Sequence, residues 1–357
     1  ADRAGGKITQ AGTVSLKLGQ TPSSVVTSSS ASVLLRADVF EVTSTNGLAI
    51  NTTGAVELTS FNTTGFTAAP GISRLDVGGS VASAATNIGS FTFGRTTNNS
   101  AVTLSAGSIN ARGPIRLYGT NLTIGIPLRT DAASAEILLR GTGFVQTAAN
   151  LTTTGATSPI RLLAGGYVNL SVASTLTTSG SNVLVASNTD ATGGGYIYAT
   201  GNQSIVTSGG SVTFAGGDLT GSGYAEGMAA GNAEGIRFFN ALSINTSVKN
   251  AGVSIGGGDI ILLGRSFTSA NGGLGAWGVG VDGTTTLDSG TGTIRIDGIS
   301  RVSSGNAFTQ GVRLVGNVTA TSASTNATAI HVTGAGGTVP SDPVSYTHLR
   351  AHETGRN

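Results

Sequence analysis

The sequence predicts an all-β protein, wound as a right-handed parallel β-helix (a β-solenoid) with coils of roughly 23 residues and side loops. Three observations predict it: a composition rich in Gly and poor in charge, an apolar–x–apolar phrase that returns at a near-constant step, and a second phrase that ends in a Ser-Gly turn.

Composition sets the class. Gly accounts for 56 of 357 residues, roughly twice the usual share. Charged residues make up 10%, against about 25% in an ordinary soluble domain. A hydrophobic content of 38% excludes a disordered polar tail. The abundance of Thr, Val and Ile favours strands. Net charge is +2, with 3 Lys and 16 Arg against 17 acids. No cluster supplies the dense cationic footprint that nucleic acid requires. No apolar run reaches the ~18 residues of a membrane helix. Aromatics at 5% argue against the girdles of a transmembrane barrel. With no cysteine there is neither disulfide nor thiolate chemistry. The start, Ala1-Asp2-Arg3, reads as an internal start in a longer protein.

The first phrase is clearest from residue 100 onward. It appears at Ile115-Arg116-Leu117, Ile137-Leu138-Leu139, Ile160-Arg161-Leu162, Val183-Leu184-Val185 and Val212-Thr213-Phe214. It continues at Ile236-Arg237-Phe238, Ile260-Ile261-Leu262, Ile294-Arg295-Ile296, Val312-Arg313-Leu314 and Ile330-His331-Val332. The steps are 22, 23, 23, 29, 24, 24, 34, 18 and 18 residues. Looser copies stand at Val14-Ser15-Leu16, Val33-Leu34-Leu35 and Val56-Glu57-Leu58. The second phrase is Leu176-Thr177-Thr178-Ser179-Gly180, Ile205-Val206-Thr207-Ser208-Gly209 and Leu287-Asp288-Ser289-Gly290. Each is a short strand closed by a turn where Gly takes positive φ at little cost. Each repeat therefore holds at least two strands and two turns. No window has the 3.6-residue apolar period of a helix.

A unit of this size buries too little apolar surface to fold alone. Stacking equivalent strands in parallel solves the problem, because each Ile or Leu then lies above its copy in the next coil. A string of β-sandwiches would show no echo at this spacing, and propeller blades repeat at about 40–50 residues. The expected organisation is irregular solenoid coils over 1–90, regular repeats over 91–343, and a foreign tail over 344–357.

The phrases GGSVTFAGGD (Gly209 to Asp218), SGTGTIRIDG (Ser289 to Gly298) and SAGSINARGPIRLYGTNLTIG (Ser105 to Gly125) resemble the shaft repeats of filamentous-haemagglutinin-like bacterial exoproteins. The resemblance covers about residues 90–335 well and 1–90 poorly. It implies a segment of a secreted or surface-anchored adhesin, at the bacterial outer surface or outside the cell. It also implies adhesion, aggregation or biofilm formation, with an outer-membrane export partner in a two-partner system. That family's secretion-domain signature, an Asn-Pro-Asn-Gly type turn, is absent here, so the resemblance is to shaft. The tail VSYTHLRAHET (Val344 to Thr354) resembles a translated sequencing adapter. On that reading His348, His352 and Glu353 are no metal site, despite their helical spacing.

Candidate sites follow from residue type. Asp218, Glu226 and Glu234, or Asp282, Asp288 and Asp297, could supply the paired carboxylates of a β-helix polysaccharide lyase or hydrolase; solvated loop acids are the simpler reading. Trp277, in the lateral loop Arg265 to Gly283, could stack on a sugar or cap the loop's own small core. The glycines Gly273, Gly275 and Gly278 match a dinucleotide fingerprint, but without a βαβ context. Arg295, Arg313 and His331 fall at equivalent places in successive copies, as an anionic-glycan stripe or a solvated face. The expectation is a structural shaft, a monomeric rod, that is not an enzyme and has no cofactor or metal. It has no nucleic-acid partner and no membrane insertion. Its contacts would be with host or bacterial surface glycan or protein, through side loops 216–234 and 265–283. The alternatives are the β-helix enzyme and a trimeric phage-type fibre.

Overall fold

The structure is a computed structural model. It describes residues 7–10, 16–18, 30, 32–42, 48–50, 52–78, 87–228, 232–268, 276–302, 310–315, 317–326 and 328–336. The adapter-like tail 344–357, and Gly273 and Gly275 of the glycine motif, lie outside the described residues. Every regular element among those residues is a strand, and the sheets of the coils are parallel. Among the described residues, no helix is long and apolar enough to cross a membrane. The chain divides into two compact units, Ala1–Leu162 and Leu163–Asn357. Each is a parallel β-solenoid.

In the first unit each regular coil contributes one strand to each of three sheets, where the sequence suggested at least two. One coil runs through Gly107–Ala111, Ile115–Gly119 and Leu122–Ile124. The next runs through Leu128–Thr130, Ile137–Gly141 and Val145–Thr147. Register is strict: Ile115 pairs with Phe91 and Ile137, and Leu117 with Phe93 and Leu139. These inward residues are fully buried, and each contributes about 1.5–3 kcal/mol of apolar burial. The early residues are more regular than their sequence suggests. Val33, Val56 and Phe91 stack in one column, and Leu48 and Leu75 in another. The phrase is hidden there because Phe replaces the aliphatics. Phe40, Phe66 and Phe93 pack ring on ring at 5.5–6.5 Å between centroids.

The second unit keeps the three-sheet plan with longer coils. Its strand Val183–Ser187 pairs with Val212–Gly216, then Ile260–Arg265, Ile294–Ile299 and Ile330–Ala335. A different sheet runs through Val168–Leu170, Ile197–Ala199, Ile236–Phe238, Val279–Val281 and Val312–Leu314. The register corrects the phase of the sequence repeat. Ile236 and Val312 belong to this other sheet, so the coils step by 29, 48, 34 and 36 residues. Two steps of 24, and two of 18, are each one coil counted in halves. The pattern alone could not separate them, because all strands of a coil bury alternate aliphatics.

Two devices turn the corners. The first is a buried hydroxyl. In the first unit Thr130 donates to the carbonyl of Ala135 at 2.8 Å and Thr153 to that of Ser158 at 2.5 Å. In the second unit Thr178 donates to Ser181 and Thr207 to Gly210, Thr246 to Gly258 at 2.5 Å, and Ser289 to Gly292 at 2.8 Å. In the recurring phrase, the Thr before the Ser-Gly pair (Thr178, Thr207) or the Ser of the pair itself (Ser289) is therefore the group that closes the turn. In one such turn Ser208 and Gly209 both take positive φ, at 51° and 115°. The second device is a glycine pair where side loops leave and return. A Cβ on Gly264 would lie 2.1 Å from the carbonyl oxygen of Gly278, and one on Gly298 2.0 Å from that of Gly311. Only Gly permits backbones to approach so closely.

Candidate binding face

The side loops of the second unit emerge at these glycine corners. They share a small apolar cluster of Ala233, Ala276 and Val302, with Phe267 packed against it. Beside it, the sheet containing Ile236–Phe238 presents an outward column: Asn169, Tyr198, Arg237, Gly280 and Arg313 occupy one register line. Gly280 leaves a gap in that column, and the Trp277 indole fills it. A Cβ on Gly280 would lie 3.0 Å from the indole ring. The guanidinium carbons of Arg237 and Arg313, from the coils on either side, stand 5.0 Å and 4.1 Å from the Trp277 ring centroid. Trp277 is 5% exposed, and its indole N–H has no hydrogen-bond partner among the described residues. The ring is thus held by cation–π contacts.

The charges of this face neutralise one another. Asp282 receives Arg237 at 2.9 Å and Arg313 at 2.6 Å. Glu234, 3% exposed, accepts from Arg237 at 2.9 Å and from the Tyr198 hydroxyl at 2.6 Å. Two cations and two carboxylates therefore balance inside one network. Tyr198 also meets Phe239 edge-on at 5.3 Å, and Arg237 lies over Phe239 at 4.1 Å. Tyr167 and Tyr196, from successive coils, stack with centroids 4.8 Å apart and planes 2° from parallel. Burial, then the neighbouring Tyr167, pushes the Tyr196 phenol up to about 12. Burial, then Glu234, raises the Tyr198 phenol further.

No family model matches this chain, and neither does any curated protein or solved structure compared with it.

Of the sequence-nominated acids, Glu234 and Asp282, one from each set, meet at Arg237, while the other four have partners of their own. The Asp218 carboxylate accepts from the backbone and hydroxyls of Thr220 and Ser222, the nearest at 2.5 Å, and those hydrogen bonds hold it well below the usual carboxylate range. Glu226 sits between Arg265, at 2.6 Å, and Arg301. Asp288 pairs with Lys249 at 2.6 Å and accepts from Ser247 and Gly290. Asp297 accepts from the Arg295 Nε at 2.8 Å. Among the described residues, no group of three or more His, Asp or Glu gathers as a metal site.

The expected Arg295–Arg313–His331 stripe does not form as one column. Arg295 and His331 are register partners. Arg313 lies in the other sheet, opposite Gly280. The cause is the half-coil step: the same Val-Arg-Leu pattern serves two faces. Sequence reasoning found Trp277 and Arg313 but not what joins them. It missed Tyr198, Glu234 as the acceptor for Tyr198 and Arg237, and Arg237 as the hub. The available signal was Gly280, the one residue without a side chain between two Arg positions of equal register.

Proposed function

We propose that this chain is a stretch of the structural shaft of a secreted or surface-anchored bacterial adhesin, supporting adhesion, aggregation or biofilm formation. One observation carries the reading: at three places an outward acid joins Arg side chains of different coils. Glu136 lies between Arg116 at 2.8 Å and Arg161 at 3.9 Å. Asp282 lies between Arg237 and Arg313, and Glu226 between Arg265 and Arg301. Three times an acid sits between two Arg side chains contributed by different coils. Alternation of sign removes the repulsion that stacked Arg side chains would suffer at the ~4.8 Å coil spacing. Such clamps resist separation of coils, which is what a load-bearing segment needs. Exposed pairs of this kind contribute only about 0–1 kcal/mol each. Their value is in number and in direction, across the hydrogen-bonded ladder.

The test places the chain between a bacterial surface anchor and a terminal sugar-binding module. Cells carrying the segment should adhere to sugar-coated beads better than cells with the module alone. The purified chain should release neither reducing ends nor unsaturated uronates from a polysaccharide panel. Product release would instead establish the β-helix enzyme, and equal adhesion without the segment would remove the shaft.

A further inference from the structure

We propose that Tyr167 and Tyr196 form an oxidative cross-linking site, at which one-electron oxidation joins two successive coils through a dityrosine bond. The pairing of Val168 with Ile197 sets the two tyrosines side by side, one coil apart. Their rings stack face to face, with centroids 4.8 Å apart and planes 2° from parallel. Tyr198 extends the cluster, 4.3 Å from Tyr196. Three of the chain's six tyrosines therefore touch in one place, so an oxidising equivalent arriving at any of them reaches a ring with a neighbour. Tyr167 is partly exposed, where an oxidant can reach it, while Tyr196 is buried. Burial of one partner favours coupling within the chain over coupling to another molecule. The chain has no cysteine, so no thiol quenches the radical and no disulfide can tie coils together.

The chemistry balances. Each phenol gives up one electron and its hydroxyl proton to become a phenoxyl radical. The two radicals join carbon to carbon at ring positions ortho to oxygen, and the hydrogens on those carbons shift to the oxygens, restoring two phenols. The net loss is two electrons and two protons. Hydrogen peroxide acting through a haem peroxidase accepts them and becomes two waters. The bond would close the coil covalently and restrict the unfolded chain, as a disulfide does.

The experiment treats the purified chain with peroxidase and peroxide, then digests it. No Lys or Arg stands between Arg161 and Arg237, whereas Asp190 separates Tyr167 from Tyr196. Trypsin combined with a protease cutting before Asp therefore releases the two tyrosines on different peptides. Mass spectrometry should find those peptides joined with the loss of two hydrogens, and dityrosine fluorescence should rise with it. The joined pair should vanish in Tyr167→Phe and Tyr196→Phe and persist in Tyr198→Phe. These variants keep their rings, and circular dichroism verifies that they remain β-rich. The proposal fails if no joined pair forms or if it survives in Tyr196→Phe. It fails equally if an equal mixture of isotope-labelled and unlabelled chain gives hybrid links at the roughly one-half share that coupling between molecules produces.

Discussion

The Arg313 guanidinium lies 4.1 Å from the centroid of the Trp277 ring while donating to Asp282 at 2.6 Å. Trp277 and Arg313, both read from the sequence as possible ligand contacts, are thus each other's partners. Two interactions set the position of that guanidinium, and the indole beneath it occupies the gap above Gly280. Removing the ring would leave a cavity between two cations.

Trp277→Ala should therefore destabilise its coil by about 3–5 kcal/mol, the usual cost of losing a large buried aromatic. Solenoids open locally rather than all at once, so the fitting measurement is amide hydrogen exchange. Exchange at Val279–Val281 should quicken by about a hundredfold or more. Coils of the first unit should keep their protection. Unchanged exchange at 279–281 would mean that the indole carries no structural load.

Two glycine substitutions should separate. A Cβ at Gly298 meets backbone at 2.0 Å, with no flexible side chain to give way, so Gly298→Ala should prevent the corner from closing and yield aggregated protein. Gly193 has φ +76° and nothing within 4 Å of a built Cβ. There Ala bears only the left-handed backbone cost, about 1–2 kcal/mol. Soluble yield and thermal melting of the two variants give the comparison.

The buried hydroxyls allow an isosteric test. Thr246→Val keeps the shape but removes the donor to the Gly258 carbonyl. It should cost about 1–3 kcal/mol, the penalty for a buried acceptor left unmade. Thr246→Ser should restore most of it. If urea denaturation of the valine variant matches wild type, the hydroxyl column is incidental.

Alkaline pH should loosen the second unit before the first. The folded-state phenol of Tyr196 is raised from 10.0 to about 12, and those of Tyr167 and Tyr198 are raised as well. A raised folded value means that the stabilisation is complete below the unfolded pKa and disappears as pH climbs through the folded one. The window therefore opens near pH 10 and runs upward. Phenolate absorbance should lag behind that of a denatured control above pH 10, with protection at Ile197–Ala199 falling as it rises. Titration of these tyrosines at their ordinary value would contradict the packing described here.

The columns were legible because burial on a strand leaves a period of two, and stacking repeats it at each coil. Ile115, Ile137 and Val212 all stand where that logic puts them. The phase was not legible, because Ile236-Arg237-Phe238 has the same local pattern as Ile260-Ile261-Leu262 yet belongs to another sheet. Only register distinguishes them, and register is a long-range property. The candidate site was half legible. A lone Trp in a loop draws attention, but its partners Arg237 and Arg313 come from neighbouring coils, and no short window holds all three. The Tyr167–Tyr196 stack was invisible for the same reason.

The corner hydroxyls have a consequence for heredity. Thr246 closes onto Gly258 across the antiparallel hairpin Ser247–Asn250 and Val253–Gly257, much as Thr207 closes onto Gly210 with only two residues between. The closure is indifferent to the length of what it encloses. In-frame DNA gained between those two codons is thus carried outside the ladder, and the gene can acquire or discard such passengers without rewriting the coils around them.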